Sequence, residues 1–191
     1  IYETQTYDVI ENVKNFRSEL GILYLNDFNR KVLGKIFEEN NLEFHELFDC
    51  QEYVYLWSGH PLAKKKEITL EDLEDYPFLS FDQGSNNSFY FAEEVFSTYE
   101  YKQSIKANDR ATMLNLMKGL NGYTLCSGII CENLNGSEYC AVKLSTEETM
   151  TIGYLKRKGI PLSSIGKEYL KEISKYNVTI QHTIIPRSVL A

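Results

Sequence analysis

The sequence predicts an α/β fold, and three observations carry that prediction. Short apolar runs of strand length alternate with segments whose apolar residues recur at helical spacing. Polar residues suited to capping helices stand at most of the handovers. The composition is that of an ordinary globular chain: 191 residues, 43% hydrophobic and 25% charged. Alternation of this kind favours βα units and mainly parallel sheets.

Each element has a local reason. Val9, Ile10, Val13 and Phe16 recur at helical spacing and predict an amphipathic helix over 6–16. Leu20 to Leu25 is an apolar run broken only by Gly21, as expected of a buried parallel strand. Val32, Leu33, Ile36 and Phe37 give a second helix after Asn29, and a strand is centred on 53–57. Thr69-Leu70-Glu71-Asp72 matches a capping pattern, so a short helix starts there and stops before Pro77. A strand over 78–81 runs into the polar loop 82–87. Phe91, Val95 and Phe96 predict a helix over 88–98, and a strand follows at 101–107. Asn108-Asp109 caps a helix with the stripe Met113, Leu116, Met117 and Leu120. Strands are expected at 123–126, 140–144 and 150–156. Ser163 or Ser164 caps a last helix with Ile165, Tyr169, Leu170, Ile173 and Tyr176 inward; the tail 178–191 has no clear period.

Charge excludes some functions. The net charge is −7, which argues against a free-standing nucleic-acid binder. The first hundred residues hold 20 acidic and 8 basic side chains, whereas residues 156–191 hold 2 and 7. The basic end reads as the solvent face of a helix. No apolar run approaches the roughly 20 residues that cross a bilayer, and the start lacks the pattern of a signal peptide, so a cytoplasmic protein is expected. Cys50, Cys126, Cys131 and Cys140 form no C-x-x-C pair, and His45, His60 and His182 stand far apart. Neither a metal site nor a disulfide framework is expected, and no cofactor. Phosphate-loop and nucleophile-elbow motifs are absent, and so is any nucleophile–base pair, which argues against an enzyme. His60, in a strand-end loop, reads as a structural histidine.

Three polar segments lie where strands hand over to helices: Glu3-Thr4-Gln5-Thr6, Ser80 to Asn87, and Asn108-Asp109. Each alone is a cap or a turn. Together, in an alternating α/β chain, they can surround one small polar ligand with hydroxyls, amides and backbone N–H groups. The candidate binding residues are Thr4, Gln5, Thr6, Ser80, Asp82, Gln83, Ser85, Asn108 and Ser127.

His60-Pro61-Leu62-Ala63, Ile68 to Leu73 and Tyr76-Pro77-Phe78-Leu79 resemble the central stretch of the LysR-type transcriptional regulators. Asn108 to Met113 with Lys118-Gly119-Leu120-Asn121-Gly122, and Ile152-Gly153-Tyr154 with Pro161-Leu162-Ser163, resemble that family's later elements in order and spacing. The resemblance is to the effector-binding half only. It implies a two-lobed fold like the type II periplasmic binding proteins, with two crossover connections and the effector between the lobes. Carried over, lobe I is 1–82 plus 149–191, lobe II is 83–148, and Ile1-Tyr2 is the remnant of a first strand. The family's N-terminal winged helix-turn-helix is expected to lie outside this chain, and DNA to be bound only through it. The resemblance further implies a small-molecule effector, self-association as a dimer or tetramer, and no membrane partner. One departure stands out: where the family has an apolar segment ending in Leu-Pro, this chain has Leu125-Cys126-Ser127-Gly128. An amino acid or a small organic acid is expected as effector: helix N-termini and neutral donors suit a carboxylate anchor, and Asp82, which repels an anion and can pair with an amino group, favours an amino acid over a plain acid. A transporter-associated solute-binding protein would share the fold and is the alternative.

Overall fold

The computed structural model describes residues 1–129 and 137–176. In chain order the elements are α1 (Thr6–Lys14), β1 (Leu20–Leu25), α2 (Arg30–Glu39), β2 (Leu42–Gln51), β3 (Tyr53–Trp57), β4 (Glu67–Ile68), α3 (Leu70–Leu73) and β5 (Phe78–Phe81). They continue with β6 (Ser104–Ala107), α4 (Arg110–Leu120), β7 (Thr124–Cys126), β8 (Tyr139–Leu144), β9 (Thr149–Arg157) and α5 (Ser164–Ser174). The described residues form two compact units. The first takes 1–50, 83–91 and 149–176; the second takes the described parts of 51–82 and 92–148.

The first unit is built on a three-stranded sheet in the order β1-β9-β2. β1 runs antiparallel to β9, from Leu20 opposite Lys156 to Leu25 opposite Thr151. Burial alternates strictly along β1, so one face of that strand packs inward and the other does not. Ile10 and Val13 of α1 and Leu33 and Phe37 of α2 close over the sheet with Leu23, Leu25, Leu42 and Leu155. Each such buried side chain contributes roughly 1.5–3 kcal/mol. Gly153 permits this packing, since a Cβ there would stand 2.5 Å from the carbonyl oxygen of His45.

The second unit holds a sheet in the order β4-β8-β3-β7 and a parallel pair β5-β6. A parallel bridge from Phe78 to Tyr123 joins them, and the Leu79 N–H donates to the Tyr123 carbonyl at 2.8 Å. α4 covers one face with Met113 and Met117, packed against Tyr55, Leu79 and Ala107. α3 starts in a full capping box: the Asp72 N–H donates to Thr69 Oγ1 and the Thr69 N–H returns to the Asp72 carboxylate.

Several expectations are corrected. The sheets are mixed rather than mainly parallel, because β9, from the far end of the chain, runs against β1, and β3 pairs antiparallel with both β7 and β8. No strand forms at Ile1-Tyr2, which are exposed. The helix over 88–98 is replaced by short 3-10 turns at Gly84–Asn86 and Phe89–Phe91. Phe91 packs instead against the first unit's core, and Phe96 takes a positive φ of 55°, which a helix does not accept. In α5, Leu170 is buried but Ile165 is 80% exposed, so that helix packs through a narrower face than its apolar residues suggest. The division at residue 82 also differs. Pairing of β3 with β7 and β8 draws 51–82 into the second unit, while 83–91 groups with the first. The tail 178–191 and Cys131 lie outside the described residues.

Candidate functional site

The candidate residues fall into two patches, one on each unit. On the first unit the patch is built at the N-terminus of α1. The cap residue Gln5 is extended (φ −61°, ψ 149°), yet its side chain caps nothing. The role passes to a residue far along the chain: the buried Thr6 N–H donates to Gln83 Oε1 at 3.2 Å. Gln83 is itself buried, at 3% exposure. Next to it, Gly84 has φ +57°, and a Cβ there would lie 3.1 Å from Gln5 Nε2. Thr6, Gln83, Gln5 and Gly84 are thereby brought together. Thr4 Oγ1 donates to the Asp8 carboxylate at 3.2 Å, so that hydroxyl is already engaged. Ser85 is exposed on the same segment.

On the second unit three candidates stand at the carboxyl ends of strands, where ligands of α/β sheets gather. β5 and β6 run parallel with Phe81 opposite Ala107, which puts Asp82 and Asn108 side by side just beyond them. β7 runs parallel to β5 through the Phe78–Tyr123 bridge, so Ser127 follows the same edge. The Asp82 N–H donates to the Ala107 carbonyl at 2.9 Å. Ser80 sits within β5 opposite Lys106, half-buried. Asn108 is exposed and precedes the cap Asp109, whose Oδ1 accepts the Thr112 N–H at 2.8 Å.

Four buried polar groups escaped the sequence reading. Glu52 is fully buried, neither carboxylate oxygen has a hydrogen-bond partner, and burial, with Glu148 nearby, pushes its carboxyl up to about 8. Glu94 is raised to a similar value by burial, although one oxygen accepts the Phe81 N–H at 2.8 Å. Tyr55 and Thr124, directly opposite each other on β3 and β7, bury hydroxyls with no partner. Alternation within apolar strands hides Tyr55 and Thr124, because a polar tip on an inward position looks like ordinary strand composition. His60 uses both ring nitrogens inside the protein: Nδ1 accepts the Leu62 N–H at 3.1 Å, and Nε2 pairs with the Asn121 carbonyl at 2.9 Å. Burial lowers its pKa, so it is a neutral structural residue. Among the described residues no cluster of His, Cys, Asp or Glu can hold a metal ion, and no helix is long and apolar enough to cross a membrane.

The family model for the LysR substrate binding domain matches residues 1–171. The chain belongs to that family. Among relatives of this LysR domain, the malolactic fermentation system transcriptional activator of Lactococcus lactis is 25% identical over 175 residues, covering 86% of this chain and 58% of the relative. HinK, a LysR family transcriptional regulator from Pseudomonas aeruginosa, superimposes with a TM-score of 0.63 at 15% identity, covering 93% of this chain and 59% of HinK. The chain thus spans rather more than half the length of these two relatives. The effector binding domain of QuiR in complex with shikimate gives 0.59 at 19% identity, over 96% of this chain and 82% of that one. The BenM effector binding domain with benzoate gives 0.59 at 17%, over 97% and 81%. The LysR domain has the two-lobed type II periplasmic-binding-like fold of these structures.

Proposed function

We propose that this chain is the small-molecule-sensing domain of a LysR-type transcription regulator, and that its effector is an amino acid or a small organic acid. The observation that carries the reading is the convergence of distant segments on polar patches. Gln83 caps α1 across 77 residues of sequence, and Asp82, Asn108 and Ser127 follow the carboxyl ends of β5, β6 and β7. Within a patch, such convergence offers a ligand donors and acceptors at little ordering cost. Two structural relatives bind organic acids, QuiR shikimate and BenM benzoate, which favours the same broad class here. The effector acts by preferring one arrangement of the regulator, and shifts it only by the difference in its affinity for the two states. DNA is then bound through an N-terminal domain outside this chain, in a cytoplasmic dimer or tetramer, and the domain senses rather than catalyses.

The test is a thermal-shift screen of amino acids and organic acids on this chain. A ligand at 100 times its Kd should add about 2.7 kcal/mol of stability. The double variant Thr4→Ala, Thr6→Ala should fold and bind that ligand more weakly. Unchanged affinity in the variant would place the site elsewhere, and a screen without any stabilising compound would defeat the reading.

A further inference from the structure

We infer that Tyr55 and Thr124 are ligand-contacting residues, two hydroxyl donors that receive a carboxylate group. The inference rests on the reading of the chain as an effector sensor, and names a chemistry and two residues for it.

Tyr55 and Thr124 face each other across β3 and β7 and are 8% and 7% exposed. Neither hydroxyl has a hydrogen-bond partner. Leaving a buried hydroxyl unpaired costs roughly 1–3 kcal/mol, so two side by side in register call for an occupant. The surroundings select its charge. Burial pushes the Tyr55 phenol up to about 12, so it keeps its proton and donates. Arg110, on the first turn of α4, lies close enough to act on Tyr55 electrostatically. Cys126, two residues along the same face of β7, has its thiol pushed up to about 12 and brings no negative charge. The neighbouring phenol of Tyr139 is spent on the Leu114 carbonyl at 3.1 Å. Two donors and a nearby guanidinium fit an anion with two acceptor oxygens.

The test uses Tyr55→Phe and Thr124→Val, singly and combined, with sodium benzoate, shikimate and succinate as probes and benzamide as the uncharged control. Without ligand the variants should melt at or above the wild-type temperature, because each removes an unpaired buried group. Tyr139→Phe, which breaks a formed hydrogen bond, should melt lower yet keep its affinity. At least one carboxylate, and not benzamide, should stabilise the wild type. Each lost hydroxyl should weaken that binding about tenfold in calorimetric titration. Equal affinity in the double variant, a lower melting temperature for Tyr55→Phe, or no wild-type response to any of the three carboxylates overturns the inference. The sensor reading survives such a failure if the wider screen finds an uncharged or cationic ligand that binds wild type and double variant alike.

Discussion

Glu52 shows how much a single side chain can cost. It is fully buried with neither oxygen paired, and its carboxyl is raised to about 8 against an ordinary 4.5. The unfolded chain releases that proton near 4.5 while the folded one holds it to about 8. Between those values the unfolded state binds fewer protons, so stability falls as pH rises, at up to about 1.4 kcal/mol per pH unit. Glu94 acts in the same direction. Glu52→Gln should therefore match the wild type near pH 5 and be more stable by about 2 kcal/mol or more at pH 8.5. Urea denaturation at the two pH values checks this. Equal sensitivity to pH in both proteins would show that Glu52 is ionised in the fold.

At the scale of elements, helix starts decide which segments meet. α3 is only four residues long and rests on its capping box, with Lys65 also paired to Asp72 at 2.5 Å. Thr69→Ala should lower stability by about 1 kcal/mol in chemical denaturation, with little effect on ligand binding. α1 is capped from outside by Gln83, and Phe91 anchors the same segment with its ring 5.7 Å from that of Tyr7, edge to face. Gln83→Leu leaves the Thr6 N–H buried and unpaired. It should cost about 1–3 kcal/mol and also weaken any ligand held at the α1 patch. A variant as stable as the wild type would mean that water replaces the amide.

For the whole molecule, charge and exposed apolar surface set the expectations. With a net charge of −7 the chain should show no tight, salt-sensitive binding to a DNA duplex in a gel-shift assay. Leu33, Phe37, Met113 and Met117 are consumed by packing within their own units, so they are not available to a partner. Ile165 and Tyr169 of α5 remain exposed, with Phe16 and Ile160 elsewhere on the first unit. Self-association as a dimer should appear in light scattering at high protein concentration, and a strictly monomeric result would count against it.

Local chemistry made most elements legible in advance. The run Leu20–Leu25, the Thr69 box, the Asp109 and Ser163 caps and the stripe of α4 form where periodicity and capping residues place them. Their causes lie within a few residues of each one. The motifs of the resemblance likewise pointed to the family that the chain belongs to. Pairing was not legible, because a strand's partner is chosen by sheet register over the whole chain. Nothing local in Tyr53–Trp57 announces that β7 and β8 will flank it and carry 51–82 into the second unit. The same holds at the candidate sites. Polar loops marked Gln83, Asp82, Asn108 and Ser127, but only the tertiary structure set Gln83 on α1 and buried Tyr55, Thr124 and Glu52 without partners. Burial and partnership are properties of the packed chain, decided by which distant residues come to surround a group.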